Sequence, residues 1–132
     1  MGKGIRKTVS SGSPWEEKVG YSRAVIQGPF LFIAGTTAVD DAGEVVSAGD
    51  GEAQMRYILN KVGKLLEKES LDYSCIIRTR IFVTDISQWE RIGLVHGEVF
   101  AGIKPAATMV EIQRLILPGL VVEVEMDGII LH

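Results

Sequence analysis

His96 and Glu98 have the spacing that zinc deaminases use, in which a histidine binds the metal and a glutamate two residues later transfers protons. Such a site also needs a pair of cysteines downstream of the histidine. The only cysteine of this sequence, Cys75, lies upstream. On a helix, moreover, residues two apart do not share a face. The pair therefore does not predict a zinc site, and we expect neither a metal nor a cofactor.

Other motifs of catalysis and cofactor binding are missing from the sequence. It contains no GxxxxGK(S/T) phosphate loop, no GxGxxG segment after a strand, and no GxSxG segment. His96 shares a helix face with the apolar Ile92 and Val99, which leaves two interpretations open. It is either a hydrogen-bonded histidine at the edge of the core or a residue that lines a cavity.

Hydrophobic periodicity predicts five strands and two helices in the order β-β-α-β-α-β-β. The helices are expected over residues 52–68 and 88–100, the second opened by a capping box of Ser87 and Glu90. The strands are expected over residues 22–26, 30–35, 75–83, 108–113 and 120–130. This order predicts an α+β fold in which both helices cover one face of a sheet.

The other face of that sheet is expected to be polar. Charged and apolar residues alternate in the last strand (Glu123, Glu125, Asp127), in the strand before it (Glu111, Gln113) and in the middle strand (Arg78, Arg80). From the pattern alone this face is either exposed to solvent or an interface between subunits, where opposite charges pair on burial.

The composition, with 46% apolar and 23% charged residues, is that of one globular domain. We expect a loosely held arm over residues 1–14 and a single domain over residues 15–132. A net charge of −3 gives no basis for a nucleic-acid-binding face. One cysteine is typical of a reducing, cytoplasmic environment, and no apolar run reaches the length of a membrane span.

Four segments of the sequence are similar to those of a known family. Residues 20–25 (GYSRAV) resemble a GPYSQAV segment, and residues 32–36 (FIAGT) resemble a strand that ends in Ser-Gly-Gln. Residues 78–85 (RTRIFVTD) resemble a KTTVFVKDL strand, and residues 104–125 resemble a PARSCVEV segment followed by a VEIE strand. On these segments the chain is identified as a member of the RidA family, the reactive-intermediate imine deaminases.

The resemblance implies a chorismate-mutase-like α+β fold with a mixed sheet, and a homotrimer with small-molecule clefts between subunits. It implies hydrolysis of imines and enamines to keto acids and ammonia without a metal. It assigns Glu123 as the catalytic base, Tyr21 as a residue that shapes the cleft, and the backbone of Gly35 and Met109 as cleft wall. We expect burial to raise the pKa of Glu123. Glu125, in contrast, should pair with Arg78 or Arg80.

Three positions depart from the family pattern. Ala107 stands where an arginine grips the substrate carboxylate, Ala34 where a serine is expected, and Gly93 where a polar helix residue is expected. Losing both charge-assisted hydrogen bonds of that arginine, at about 1.5–3 kcal/mol each, weakens binding about a hundredfold or more. Arg23 could reach the cleft instead, or be a structural arginine.

Three hypotheses therefore compete. The first is a trimeric protein whose roomier cleft binds a small, uncharged metabolite, with altered or absent deaminase activity. The second is a working deaminase that uses another carboxylate anchor. The third is a non-enzymatic interaction protein or an RNA-cleaving protein, which the acidic balance disfavours.

Overall fold

The computed structural model describes residues 5–131. Six strands and three α-helices lie within them. The strands are β1 (Arg6–Val9), β2 (Ala24–Gln27), β3 (Phe30–Thr37), β4 (Ile76–Val83), β5 (Ala106–Glu111) and β6 (Val122–Ile129), and the helices are α1 (Pro14–Val19), α2 (Gly51–Lys68) and α3 (Trp89–Phe100). In this part of the chain, no helix combines the length and apolarity needed to cross a membrane.

The strands form one mixed sheet in the order β1-β2-β3-β6-β4-β5. Neighbouring strands are antiparallel except β4 and β5, which are parallel and are connected through α3. A parallel pair needs such a crossover, because a tight turn can join only antiparallel strands. The predicted α+β class is therefore confirmed.

Helices α2 and α3 cover one face of the sheet, as predicted. Helix α2 begins at Asp50, whose side chain accepts a hydrogen bond from the Ala53 amide at 3.0 Å. Its apolar stripe is buried against the sheet, where β6 supplies every second side chain. The core formed there includes Met55, Ile58, Leu59, Val62, Leu66, Val122, Val124 and Met126.

The opposite face of the sheet, here called the open face, is not covered by α2 or α3, and α1 lies beside part of it. It carries Glu123, Glu125 and Asp127 of β6, Arg78, Arg80 and Phe82 of β4, and Phe30 and Phe32 of β3. Arg80 Nη1 lies 3.5 Å from Glu125 Oε1 and 3.1 Å from Asp127 Oδ2. The expected pairing of Glu125 with a β4 arginine is confirmed for Arg80.

The N-terminal segment differs from the sequence-based prediction. Residues 6–9, expected to belong to a loose arm, form β1 and pair with β2. The turn-rich run before residue 15 begins a short helix instead, with Ser13 as its cap and Pro14 in its first turn. The buried Glu16 of that helix accepts hydrogen bonds from the Ser10 and Ser11 side chains and from the Ser11 amide. The sequence-based interpretation was wrong because it did not identify this acceptor.

Candidate functional site

Four of the predicted site residues lie together at one end of the open face, and we call them the Glu123 cluster: Tyr21, Arg23, Gly35 and Glu123. The β6 register places Glu123 between Thr37 of β3 and Phe82 of β4. A register irregularity between Ile33 and Thr36 brings Gly35 against the glutamate. A Cβ atom on Gly35 would overlap Glu123 Oε2, so a larger residue at position 35 would require the carboxylate to move from this position.

Arg23, the residue immediately before β2, extends its side chain into this cluster. Its Nη2 donates a hydrogen bond to the Gly35 carbonyl at 2.8 Å, and its Nη1 donates a longer one to Thr36 Oγ1 at 3.4 Å. Its guanidinium carbon lies 5.7 Å from the centre of the Tyr21 ring. Arg23 and Glu123 therefore contact the same glycine.

The electrostatics of Glu123 follow from this position. Burial raises the pKa of the Glu123 carboxyl above its usual value of 4.5, the Arg23 charge lowers it, and the neighbouring Glu125 charge raises it further. Burial prevails, which is the expected direction. Arg23, which the sequence left as either a cleft residue or a structural arginine, is close enough to act on the charge of Glu123.

Three further predicted site residues, Gly93, Ala107 and Met109, lie near His96 where α3 meets the edge strand β5, and we call these four residues the His96 cluster. His96 Nε2 lies 2.9 Å from Oγ1 of the buried Thr79, and its ring lies 4.6 Å from the Phe100 ring. Burial lowers the pKa of His96. The hydrogen-bonded interpretation of His96 is therefore confirmed.

The small residues of the His96 cluster leave space around it. Ala107 is exposed and is in register with Thr79, and Met109 is in register with Ile81 and packs against the core. A Cβ atom on Gly93 would meet nothing within 4 Å. An arginine at position 107 would accordingly have room to extend.

The two clusters do not meet within one chain. Thr79 is buried under α3 on the helix-covered face, and Ala107 lies beside it in register, whereas Glu123 lies on the open face. Glu123 is in register with Phe82, three residues along β4 from Thr79, a separation of about 10 Å along the strand. A single subunit therefore presents two halves of the predicted site on opposite faces of its sheet.

A depression with a volume of about 650 Å³ lies beside the Glu123 cluster. Tyr21 and Ala34 line it together with Phe32, Glu16 and Glu125, whereas Glu123 does not. This depression follows the open face beneath α1. It contains the Tyr21 end of the cluster but not its carboxylate.

One cation near the site, Lys61, was not predicted from the sequence. Lys61 of α2 donates hydrogen bonds to the Thr37 and Val39 carbonyls at 3.1 and 3.0 Å. Burial lowers the pKa of Lys61, and the nearby Arg23 charge lowers it further. The helical pattern placed Lys61 on the polar side of α2 but could not indicate that β3 ends beside it.

The chemistry available in the described residues is that of acids, bases and hydrogen bonds. Among residues 5–131, no group of three or more His, Cys, Asp or Glu side chains is arranged to hold a metal ion. Glu123 offers a half-buried carboxylate of raised pKa, which can accept a proton from water. Arg23 offers a planar guanidinium, which can hold an anion.

Replacing Gly35 with Ala should push the Glu123 carboxylate out of its site, because the new Cβ atom would overlap Oε2. Because Oε2 is the far end of a flexible side chain, the carboxylate can move aside, and we expect the free energy of unfolding to change by less than about 1 kcal/mol. The pKa of Glu123, followed by NMR titration of its side-chain carbon, should fall towards 4.5 as the group becomes solvated.

The control is Gly97→Ala in α3, where a new Cβ atom has nothing within 4 Å. That change should stabilise the helix by about 1 kcal/mol and leave the Glu123 titration unchanged. An unaltered Glu123 pKa in the Gly35 variant would contradict the close approach described above.

Comparison with known proteins places the chain in a family. The family model described as Endoribonuclease L-PSP matches residues 14–130. An uncharacterised Streptomyces coelicolor protein, SCO2049, is 31% identical over 123 residues, covering 92% of this chain and 90% of the relative.

Solved structures agree with this match. Rv2704 of Mycobacterium tuberculosis, described as a member of the YjgF/YER057c/UK114 family, is 44% identical, with a TM-score of 0.84 over 96% of this chain and 100% of its own. YyfA of Yersinia pestis, described as a protein of unknown function of the conserved Rid family, is 25% identical, with a TM-score of 0.83 over 96% and 100%. The chorismate-mutase-like fold is thereby confirmed. The chain belongs to the Rid family, also named YjgF/YER057c/UK114 and Endoribonuclease L-PSP, which is the family that its sequence resembles.

Proposed function

We propose that this protein is a homotrimer that binds a small metabolite in clefts between neighbouring subunits. The observation that carries the proposal is the division of the predicted site. The Glu123 cluster and the His96 cluster lie on opposite faces of one sheet, so only two different subunits can bring them together.

The composition of the open face supports the assembly. Its Phe30 and Phe32 side chains, which stack on each other, are each 49% exposed. Arg80 and the two carboxylates that it contacts, Glu125 and Asp127, are only partly exposed, and their charges are paired within the chain. Apolar rings beside compensated charges are suited to burial against another subunit.

The chemistry proposed for the cleft is hydrolysis of an imine carbon with Glu123 as general base. Glu123 accepts a proton from water as the water oxygen attacks the carbon of the C=N bond. The imine nitrogen takes up a proton from solvent in the same step, which gives a carbinolamine. The acid form of Glu123 then protonates the amino nitrogen, the C–N bond breaks as ammonia leaves, and the ammonia takes the hydroxyl proton as the C=O bond forms. A keto compound remains.

We expect this activity to be low on 2-aminoacrylate-type imines. The resemblance assigns the carboxylate grip to the position of Ala107, and a methyl group cannot donate the two hydrogen bonds of a guanidinium. The loss corresponds to about a hundredfold or more in binding. Small residues at positions 34, 93 and 107 favour a roomy cleft instead.

Introducing Ala107→Arg tests the proposal. With an imine generated in situ, kcat/KM for keto-acid formation should rise about tenfold to a hundredfold over the wild type. Ala107→Gln, which is longer than alanine but uncharged, is the matched control and should give no such rise. The proposal of low activity fails if the wild type comes within tenfold of an arginine-bearing relative.

RNA cleavage, the activity in the family model's name, is less suited to this chain. Its net charge is −3, and three of the charged residues on the open face are carboxylates. A protein that holds RNA through phosphates needs a basic surface. The single cysteine is the basis on which we also propose a cytoplasmic location.

A further inference from the structure

Arg23 has hydrogen-bonding capacity that its contacts within the chain do not use. A guanidinium carries five N–H donors. In the described residues, Arg23 makes side-chain hydrogen bonds only to the Gly35 carbonyl and to Thr36 Oγ1, the second a long one at 3.4 Å. The remaining donors belong to a half-buried side chain whose guanidinium carbon lies 5.7 Å from the centre of the Tyr21 ring.

The charge of Arg23 is also left without a direct counter-ion. Within residues 5–131, no carboxylate oxygen lies within 4 Å of its nitrogens, in contrast to Arg80 and Arg56. The Arg23 charge helps to lower the pKa of Glu16, so the two groups are near each other. The Glu16 oxygens, however, accept hydrogen bonds from the side chains of Ser10 and Ser11 and not from Arg23. A second cation, Lys61 of α2, donates a hydrogen bond to the Thr37 carbonyl and is near enough for the Arg23 charge to lower its pKa.

Glu123 lies beside the same glycine. Arg23 Nη2 lies 2.8 Å from the Gly35 carbonyl, and Glu123 Oε2 occupies the space that a Gly35 Cβ atom would need. A ligand group held by Arg23 would therefore lie within one residue's width of the carboxylate. This is the geometry of an anion-binding group beside a base.

We infer that Arg23 is the anion anchor of the cleft and binds the carboxylate of a small monoanionic ligand next to Glu123. The inference rests on the proposed function and replaces the uncharged metabolite expected from Ala107 with a carboxylate ligand. Guanidinium and carboxylate match in a planar, two-bond contact. A phosphate dianion fits less well, because the negative charge of Glu123 would repel it more strongly.

Two small probes of the same shape test the anchor: pyruvate and its neutral amide, pyruvamide. Dissociation constants are measured by ligand-observed NMR for the wild type, Arg23→Gln, Arg23→Lys and the exposed-arginine control Arg56→Gln. The wild type should bind pyruvate at least about tenfold more tightly than pyruvamide, the effect of one or two charge-assisted hydrogen bonds.

The variants should separate as follows. Arg23→Gln should abolish the preference for pyruvate while pyruvamide binding changes less than about twofold. Arg23→Lys should retain part of the preference, since it keeps the charge but not the planar pair of donors. If Arg23→Gln does not fold, the reduced preference of Arg23→Lys is the result that tests the anchor. Arg56→Gln should behave as wild type.

A preference for pyruvate that survives in both Arg23 variants, or a wild type without any preference, overturns the anchor. If such a wild type still binds both probes and Glu123→Gln weakens both, the cleft stands and only the anchor fails. If neither the wild type nor Ala107→Arg binds either probe at millimolar concentration, the proposed function fails together with the anchor.

Discussion

Replacing Glu125 with Lys should convert the proposed trimer into monomers at micromolar concentration. The new lysine would stand beside Arg80, which now lies 3.5 Å from the Glu125 carboxylate. Burying unpaired like charges at an interface costs roughly 2–5 kcal/mol, a factor of roughly 30 to several thousand in the association constant. Each subunit of a trimer would carry this cost.

Folding of the isolated subunit should change much less. Both side chains of the Arg80–Glu125 pair are 39% exposed in the single chain. Solvent screening at that exposure limits the pair to about 0–1 kcal/mol. The variant should therefore keep most of its melting temperature while light scattering shows the mass of a monomer.

The control is Glu98→Lys, the same change in the exposed pair of Glu98 with Arg56 on the two helices. This variant should remain assembled. A Glu125 variant that stays trimeric at micromolar concentration, or a wild type that is monomeric there, would contradict the proposed interface.

The parts of the fold that the sequence predicted are those in which one residue pattern meets one regular element. Val122, Val124 and Met126 alternate with the carboxylates of β6, and the structure buries each of them. Helix α2 likewise buries the stripe from Met55 to Leu66. In both, the period of the apolar residues equals the period of the backbone.

In β4 and β5, the alternation of apolar and polar residues predicted the wrong face of the sheet for several side chains. A register shift between Ile76 and Arg78 leaves Ile77 48% exposed, although alternation had placed it with the aliphatic face. In β5 the predicted phase is inverted, because Val110 is in register with Phe82 on the open face and Met109 packs on the core. In β4 the irregularity changes the face of Ile77 alone, whereas β5 is in continuous register with β4 and its phase was misassigned along the whole strand.

Local capping was also misassigned. Ser87 and Glu90 were expected to form a capping box, but Ser87 donates to the Asp85 side chain within a 3₁₀ turn, and α3 begins after it. Asp85 competes for the same amide and hydroxyl donors and lies closer in sequence.

The candidate site shows the limit of residue-by-residue transfer. Tyr21, Gly35 and Glu123 were expected together and lie together, because strands β3 and β6 are neighbours. The contact of Arg23 with the Gly35 carbonyl depends on the irregularity in β3 and could not be read from spacing. The separation of Ala107 from Glu123 depends on sheet order, which only the three-dimensional structure gives.

Replacing Glu123 with Gln should remove imine hydrolysis and at the same time stabilise the fold. Loss of a general base lowers the rate by about a hundredfold to ten-thousandfold. The same loss should appear in the more active Ala107→Arg background, where it is easier to measure. Glutamine keeps the shape of the side chain beside Gly35 and removes only its ability to accept a proton.

The stability gain follows from the direction of the pKa shift. Burial raises the pKa of Glu123 in the folded state, so the ionised form is disfavoured there relative to the unfolded chain. The contribution of Glu123 to stability is therefore full below the unfolded pKa of about 4.5 and is lost as the pH rises through the folded pKa. Glutamine stays neutral and avoids this loss.

The melting temperature of Glu123→Gln should accordingly exceed that of the wild type at pH 7, and the difference should vanish near pH 4. Glu125→Gln is the matched comparison two residues along β6. It loses the Arg80 pair and should not gain stability at pH 7. If Glu125→Gln abolishes ligand binding while Glu123→Gln leaves binding and melting temperature untouched, the site does not lie at Glu123. A residue that weakens the fold in its ionised form and is needed for turnover is typical of a functional carboxylate, because selection retains such a cost only where activity depends on it.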